Sequence, residues 1–343
     1  MVSRKLTRRD FVKVGATGTA ALLLSRNSAM GGGVGSAMPT RPFGKTGHDV
    51  KLFSLGAQAT VERSSDDPAE AKRLHDESIA IINRAIDLGV NYIDTAAAYG
   101  RGISQTRVGE VMATRRKEVF LATKTHNRTR DGSLRLLEES LRLLQTDRLD
   151  LWQLHNISRD EQLETIFGKN GAIEALQQAR EEKTVRFLGI TGHYNPNVLI
   201  KGINEYGFDF DTVLMALNPA DKNFLPFQQE LLPMAKQKNM GVIAMKIPAR
   251  GRLFRDGGIT TMRDAMSYVL TLDGVSTVII GCDDVAQLEE NVSIATNFQP
   301  LSNSEMARLE GLTESYAADA AFFKEGGAGF GRRGMDDQGF LEK

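Results

Sequence analysis

Eight short β-like runs, each followed by a stretch of helical periodicity, recur along the chain at intervals of about thirty residues, and this repetition restricts the fold more than any other feature. The runs are the one ending near Gly56, then NYIDTA, VFLATK, LDLWQLH, VRFLGIT, TVLMAL, GVIAMK and STVIIG. Between them, AKRLHDESIAIINRAIDLG, SLRLLEESLRLLQ, GAIEALQQAREEK and LPFQQELLPMAKQK carry apolar residues at helical spacing. Eight such units satisfy a closed (β/α)8 barrel, the α/β TIM-barrel architecture. An open doubly wound sheet is the competing arrangement, but it places a glycine-rich dinucleotide turn after its first strand, and SLGAQATVER is not one. RPFGKTG and DVKLFSLGA, turning at Gly47-His48, predict a hairpin ahead of the barrel. No Pro/Gly-rich linker breaks the pattern before about residue 320, so one barrel domain is expected over 39–320, with a C-terminal helical tail over 321–343.

The first 38 residues are of another kind. SRKLTRRDFVK is followed by the apolar run VGATGTAALLL and a Gly/Ser/Ala-rich exit, too short to span a bilayer as a helix. The Arg8–Arg9 pair, with Phe11 and Lys13 behind it, resembles a twin-arginine export signal. The resemblance implies passage through the Tat translocase in the folded state and a periplasmic or extracytoplasmic location. The cleavage site and the oligomeric state are not legible.

Charge narrows the partners. Lys plus Arg and Asp plus Glu are equal at 43 each, so no global field draws the chain to nucleic acid or an anionic membrane, and a small molecule is the expected partner. The single Cys282 excludes an internal disulfide, and the five scattered His show no metal-ligand spacing.

In barrels of this class the chemistry sits at the C-terminal ends of the strands. Asp94 ends NYID, Lys124 ends VFLATK, His155 ends LDLWQLH, and Tyr99 follows in TAAAYGRG. Taken singly, each has a structural explanation: an Asp caps a helix, a Tyr packs, a His is satisfied inside the fold. Together they suit carbonyl reduction. Tyr99 is the expected proton donor, Lys124 favours its phenolate, Asp94 holds Lys124 charged, and His155 orients the carbonyl oxygen.

On these residues, and on the hairpin, NYIDTAAAYG, FLATK, DLWQLH, FLGIT and STVIIGCDDVAQLEEN, the chain resembles the aldo-keto reductases from about Arg41 to Asn291. The resemblance implies an oxidoreductase that reduces an aldehyde or ketone, reversibly, with Asp94, Tyr99, Lys124 and His155 as its tetrad. It also implies a nicotinamide cofactor and no metal. Gly281 and Cys282 are expected near the phosphates, and Gln287, Glu290 and Asn291 near the adenine and ribose. Gly56, Thr191, Gly192, Met245 and Lys246 are expected to line the rest of the cofactor site, with Arg250 on the pyrophosphate. Asp283 and Asp284 would repel a 2′-phosphate, which leaves NAD(H) open beside the NADP(H) that the family favours. Met245 stands where the family often stacks a Tyr on the nicotinamide, and Leu214 where a Gln is expected.

Two other readings compete. A cofactor-holding binding or regulatory protein would keep the barrel with little turnover. A metal-dependent barrel hydrolase or isomerase would need a paired-His or His-carboxylate spacing that the sequence lacks. RGISQTR, HNRTRDG, HNISRDEQ and the region from Phe322 onward are expected to set the pocket; their Arg, Asn and Asp hint at a polar or sugar-like carbonyl substrate, whose identity is not legible.

Overall fold

The computed structural model describes residues 37–325. The export signal expected over 1–38, apart from its last two residues, and the tail beyond Glu325 lie outside the described residues.

Strand β1 (Thr40–Pro42) pairs antiparallel with β2 (Asp49–Lys51) as the expected hairpin. The next eight strands close a parallel barrel: β3 (Phe53–Gly56), β4 (Tyr92–Asp94), β5 (Phe120–Thr125), β6 (Leu149–Leu154), β7 (Val185–Gly192), β8 (Thr212–Ala216), β9 (Gly241–Met245) and β10 (Thr277–Ile280). They follow one another in chain order, and β10 returns beside β3. Helices α1 (Pro68–Asp87), α2 (Ile103–Arg115), α3 (Arg130–Leu143), α4 (Asp160–Phe167), α5 (Ala172–Glu181), α6 (Pro196–Asn204), α7 (Phe227–Gln237), α8 (Met262–Thr271) and α9 (Val285–Thr296) fill the connections and cover the outside. Two more, α10 (Asn303–Thr313) and the single turn α11 (Ala317–Ala320), follow the last strand.

Local chemistry explains the helix ends. In α1, Asp67 accepts from the Glu70 amide at 2.7 Å and Pro68 opens the first turn, while Leu74, Ile81, Ile82, Ala85 and Ile86 form the buried stripe. Gly89, at φ +83°, ends the element in a conformation that a side chain would disfavour.

Phe43 and Val50 of the hairpin region are buried against Tyr92, Phe120, Leu151 and Ile243 inside the barrel. The Phe43 ring meets those of Tyr92 and Phe120 edge-on at 5.6 and 5.5 Å. Gly241 makes room for it, since a Cβ there would stand 2.5 Å from the Phe43 ring. The N-terminal end is thus plugged, and the C-terminal end stays open.

That open end is partly closed from above by residues 322–325, the described part of the tail. Lys324 is buried and donates to the Asp221 carboxylate and to the carbonyls of Phe224 and Leu225 at 2.7 and 2.9 Å. The Glu325 amide donates to the Tyr194 carbonyl at 3.0 Å. Arg252 and Arg255 meet Asp319 at 3.2 and 2.7 Å. The segment, with Asp319 of α11 just before it and the Phe322 ring 4.4 Å from the Arg252 guanidinium, therefore clasps the loops after β7, β8 and β9.

Candidate active site

Strand register brings the polar strand ends together. Gly56 pairs with Asp94, Asp94 with Ala122, and Lys124 with Gln153. Side chains alternate across a strand, so Tyr92 shares the inward face with Asp94, and Ala122 with Lys124. Tyr99 opens the loop after β4, where Gly100 and Gly102 have φ of +56° and +93°. A Cβ on Gly100 would lie 2.3 Å from the Glu62 carbonyl oxygen, so glycine lets this loop pack on the 59–62 turn.

The ammonium of Lys124 donates to Asp94 Oδ1, to the Thr95 carbonyl at 2.8 Å and to the Tyr99 hydroxyl at 3.3 Å. Asp94 Oδ2 accepts from Gln153 Nε2 at 2.8 Å and from the Tyr92 hydroxyl at 3.2 Å. The rings of Tyr99 and His155 meet edge-on with centroids 5.6 Å apart. Asp94, Tyr99, Lys124 and His155 therefore converge at one end of the barrel.

Their electrostatics depart from the expectation in one respect. The sequence reading has Lys124 easing the proton off Tyr99, yet burial, with the charges of Asp94 and Glu62, holds the phenol well above its usual value, against Arg250. Tyr99 is consequently a protonated donor at neutral pH. Burial likewise lowers the Lys124 ammonium, opposed by Asp94. Burial and the cations around it, Lys124 first, push His155 well below the usual imidazole value, so its ring is neutral near pH 7 and carries one N–H.

Two connected hollows open here. One, of about 380 Å³, runs past Gly56, Gln58, Glu62, Arg63, Tyr99, Leu214, Met245, Lys246, Arg250 and Gly281. The other, of about 200 Å³, reaches Ala98, Lys124, His155, Asn156, Thr191 and His193 and shares Tyr99, Leu214, Met245 and Lys246 with the first. The first suits the phosphates of a dinucleotide. Arg63 and Arg250 give its open side positive charge, and Gly56 and Gly281 face each other so closely that a Cβ on Gly56 would touch the Gly281 nitrogen at 3.4 Å.

The other expected cofactor residues are placed less uniformly. Gly192 is buried, and a Cβ there would meet the Ile157 carbonyl at 2.6 Å, so it serves packing. The side chains of Cys282 and Asn291 are buried and contact each other at 3.5 Å. Gln287 Oε1 accepts from the Asp283 amide at 3.1 Å, and Glu290 is exposed on α9. Asp283 and Asp284 are both engaged: Arg63 pairs with Asp283 at 2.9 Å, and Asp284 caps α9 by accepting from the Gln287 amide at 2.8 Å. Among the described residues, no three or more His, Cys, Asp or Glu form a metal-holding group.

Sequence reasoning missed Gln58, Glu62, Tyr92 and Gln153. Tyr92 and Gln153 lie two residues before Asp94 and His155, and the two-residue strand period signals them. Gln58 and Glu62 sit on an irregular turn with no such signal.

The aldo/keto reductase family model matches residues 68–257. The chain belongs to the aldo/keto reductase family. An uncharacterized oxidoreductase of Bacillus subtilis is 27% identical over 322 residues, covering 81% of this chain and 97% of that protein. L-galactose dehydrogenase of Arabidopsis thaliana is 27% identical over 319 residues, covering 80% and 94%. The holo structure of an aldo-keto reductase from Bacillus halodurans superposes with a TM-score of 0.66 at 25% identity, covering 80% of this chain and 96% of that one. This aldo-keto reductase is thus a family oxidoreductase on a single (β/α)8 barrel.

Proposed function

We propose that this aldo-keto reductase reduces a small polar aldehyde or ketone to the alcohol with NADP(H), Tyr99 giving the proton. The observation that carries the reading is the Lys124 ammonium shared between Asp94 and the Tyr99 hydroxyl. When bound, the nicotinamide supplies the hydride. Neutral His155 donates its N–H to the carbonyl oxygen and fixes its position beside the phenol. As the oxygen becomes an alkoxide, a stronger base than a phenolate, it takes the Tyr99 proton. Lys124 stabilises the phenolate left behind, and Asp94 holds Lys124 charged and in place.

NADP(H) is preferred because Arg63 offsets the charge of Asp283 that would oppose a 2′-phosphate. A similar barrel from Klebsiella pneumoniae, 24% identical with a TM-score of 0.64, was solved in complex with NADPH. The test is oxidation of NADPH and of NADH in the presence of glyceraldehyde and related aldehydes. Aldehyde-dependent turnover is expected, faster with NADPH; cofactor binding without turnover would favour a binding protein instead. We also propose that Arg8 and Arg9 direct export, so that a reporter fused to residues 1–38 leaves the cytoplasm and the double substitution Arg8→Lys with Arg9→Lys retains it there.

A further inference from the structure

Lys246 is a charged group that the reduction above leaves without a task. It follows Met245 at the end of β9 in left-handed backbone, φ +64°, and its side chain is half-buried. The sequence reading assigns it to the cofactor, but it also lines the hollow that holds Lys124 and His155. Its ammonium lies 6.0 Å from the centre of the Phe323 ring, which also meets the His193 ring edge-on at 5.7 Å.

Charge around it is unbalanced. Arg250 and Lys124 share the cleft with it beside His193, which burial and Lys246 hold well below the usual imidazole value and so uncharged, and Glu62 is the carboxylate that faces them, Asp94 being engaged by Lys124. Among the described residues, no carboxylate comes within ion-pair distance of Lys246. Burial, with Arg250 and Lys124, pushes the ammonium down to about 7 against the pull of Glu62. A half-buried cation of this kind gains most from an arriving anion.

Building on the reductase reading, we propose that Lys246 receives the carboxylate of an oxo-acid substrate whose carbonyl lies between Tyr99 and His155. The clasp supports this by seating Phe323 against Lys246 and His193, two residues that line the catalytic hollow. Exposed Arg250 remains for the cofactor phosphates.

The test compares glyoxylate and 4-oxobutanoate with their methyl esters, using NADPH and the folded protein. For at least one pair, kcat/KM for the acid is expected to exceed that for the ester by about tenfold or more. Lys246→Met removes that preference, Lys246→Arg keeps part of it, and the NADPH dissociation constant changes little in either. The KM for the acid, unlike that for the ester, rises as pH climbs through about 7 and the ammonium loses its proton. Equal use of acid and ester by the wild type overturns the proposal while the reductase reading stands. So does a Lys246→Met variant that binds NADPH weakly with its acid-to-ester ratio unchanged, which assigns the ammonium to the cofactor. If no carbonyl is reduced at all, the reductase reading fails. Calorimetry with succinate then decides the anion site alone: Lys246-dependent binding upholds it, and its absence ends it.

Discussion

The Lys124 ammonium lies 3.3 Å from the Tyr99 hydroxyl while it also donates to Asp94 and, at 2.8 Å, to the Thr95 carbonyl. Three acceptors from β4 and the loop after it leave that ammonium no freedom, so its position relative to the phenol is set by the barrel. Tyr99→Phe keeps the ring and its edge contact with His155 and removes only the acid. Steady-state reduction is expected to fall by about 10²–10⁴-fold, with the NADPH dissociation constant nearly unchanged by fluorescence titration. Undiminished turnover would remove Tyr99 from the chemistry.

Asp94 and Lys124 are a buried ion pair, and removing one partner strands the other charge. Lys124→Met is expected to cost about 3–5 kcal/mol in denaturant unfolding. The double variant Asp94→Asn/Lys124→Met recovers much of that stability, because Gln153 still has an amide oxygen to meet, yet stays inactive. Equal destabilisation by the single and the double variant would mean that the pair is not electrostatically coupled.

The depressed imidazole of His155 makes stability depend on pH. In the unfolded chain the ring takes up a proton near its ordinary value of 6.5, and in the folded chain only well below that. Below pH 6.5 the unfolded state therefore binds more protons, and the contribution, complete above that value, is lost as pH falls. Urea unfolding from pH 7 towards pH 5 is expected to show a loss approaching about 1.4 kcal/mol per pH unit from this residue. His155→Gln removes this residue's share of the slope, while buried His193, also held well below the usual imidazole value, keeps its own; an unchanged slope would place the proton uptake elsewhere.

Lys324 ties the described end of the tail to Asp221, and both are buried. Lys324→Met strands Asp221, which keeps the amide donors of Phe227 and Gln228 at 3.3 and 2.8 Å. A loss of about 3 kcal/mol is expected by urea unfolding. KM should rise more than kcat falls, because Phe323 loses its anchor while the tetrad does not. A drop in kcat alone would separate the clasp from the substrate pocket.

Periodicity in the sequence determined the barrel, its hairpin and the strand-end positions of Asp94, Lys124 and His155, because those signals depend on neighbours only a few residues away. The same local period reaches Tyr92 and Gln153 beneath Asp94. Tertiary structure decided the rest. Lys324 meets Asp221 across 103 positions, and Phe323 faces Lys246 across the mouth of the barrel. The burial of Cys282 and Asn291 against each other, the partners of Asp283 and Asp284, and the direction in which Tyr99 titrates were also settled there. Each depends on which loops a closed barrel brings side by side and how much water they exclude. A linear pattern holds no measure of either, because exclusion of water belongs to the assembled surface and not to any segment of it.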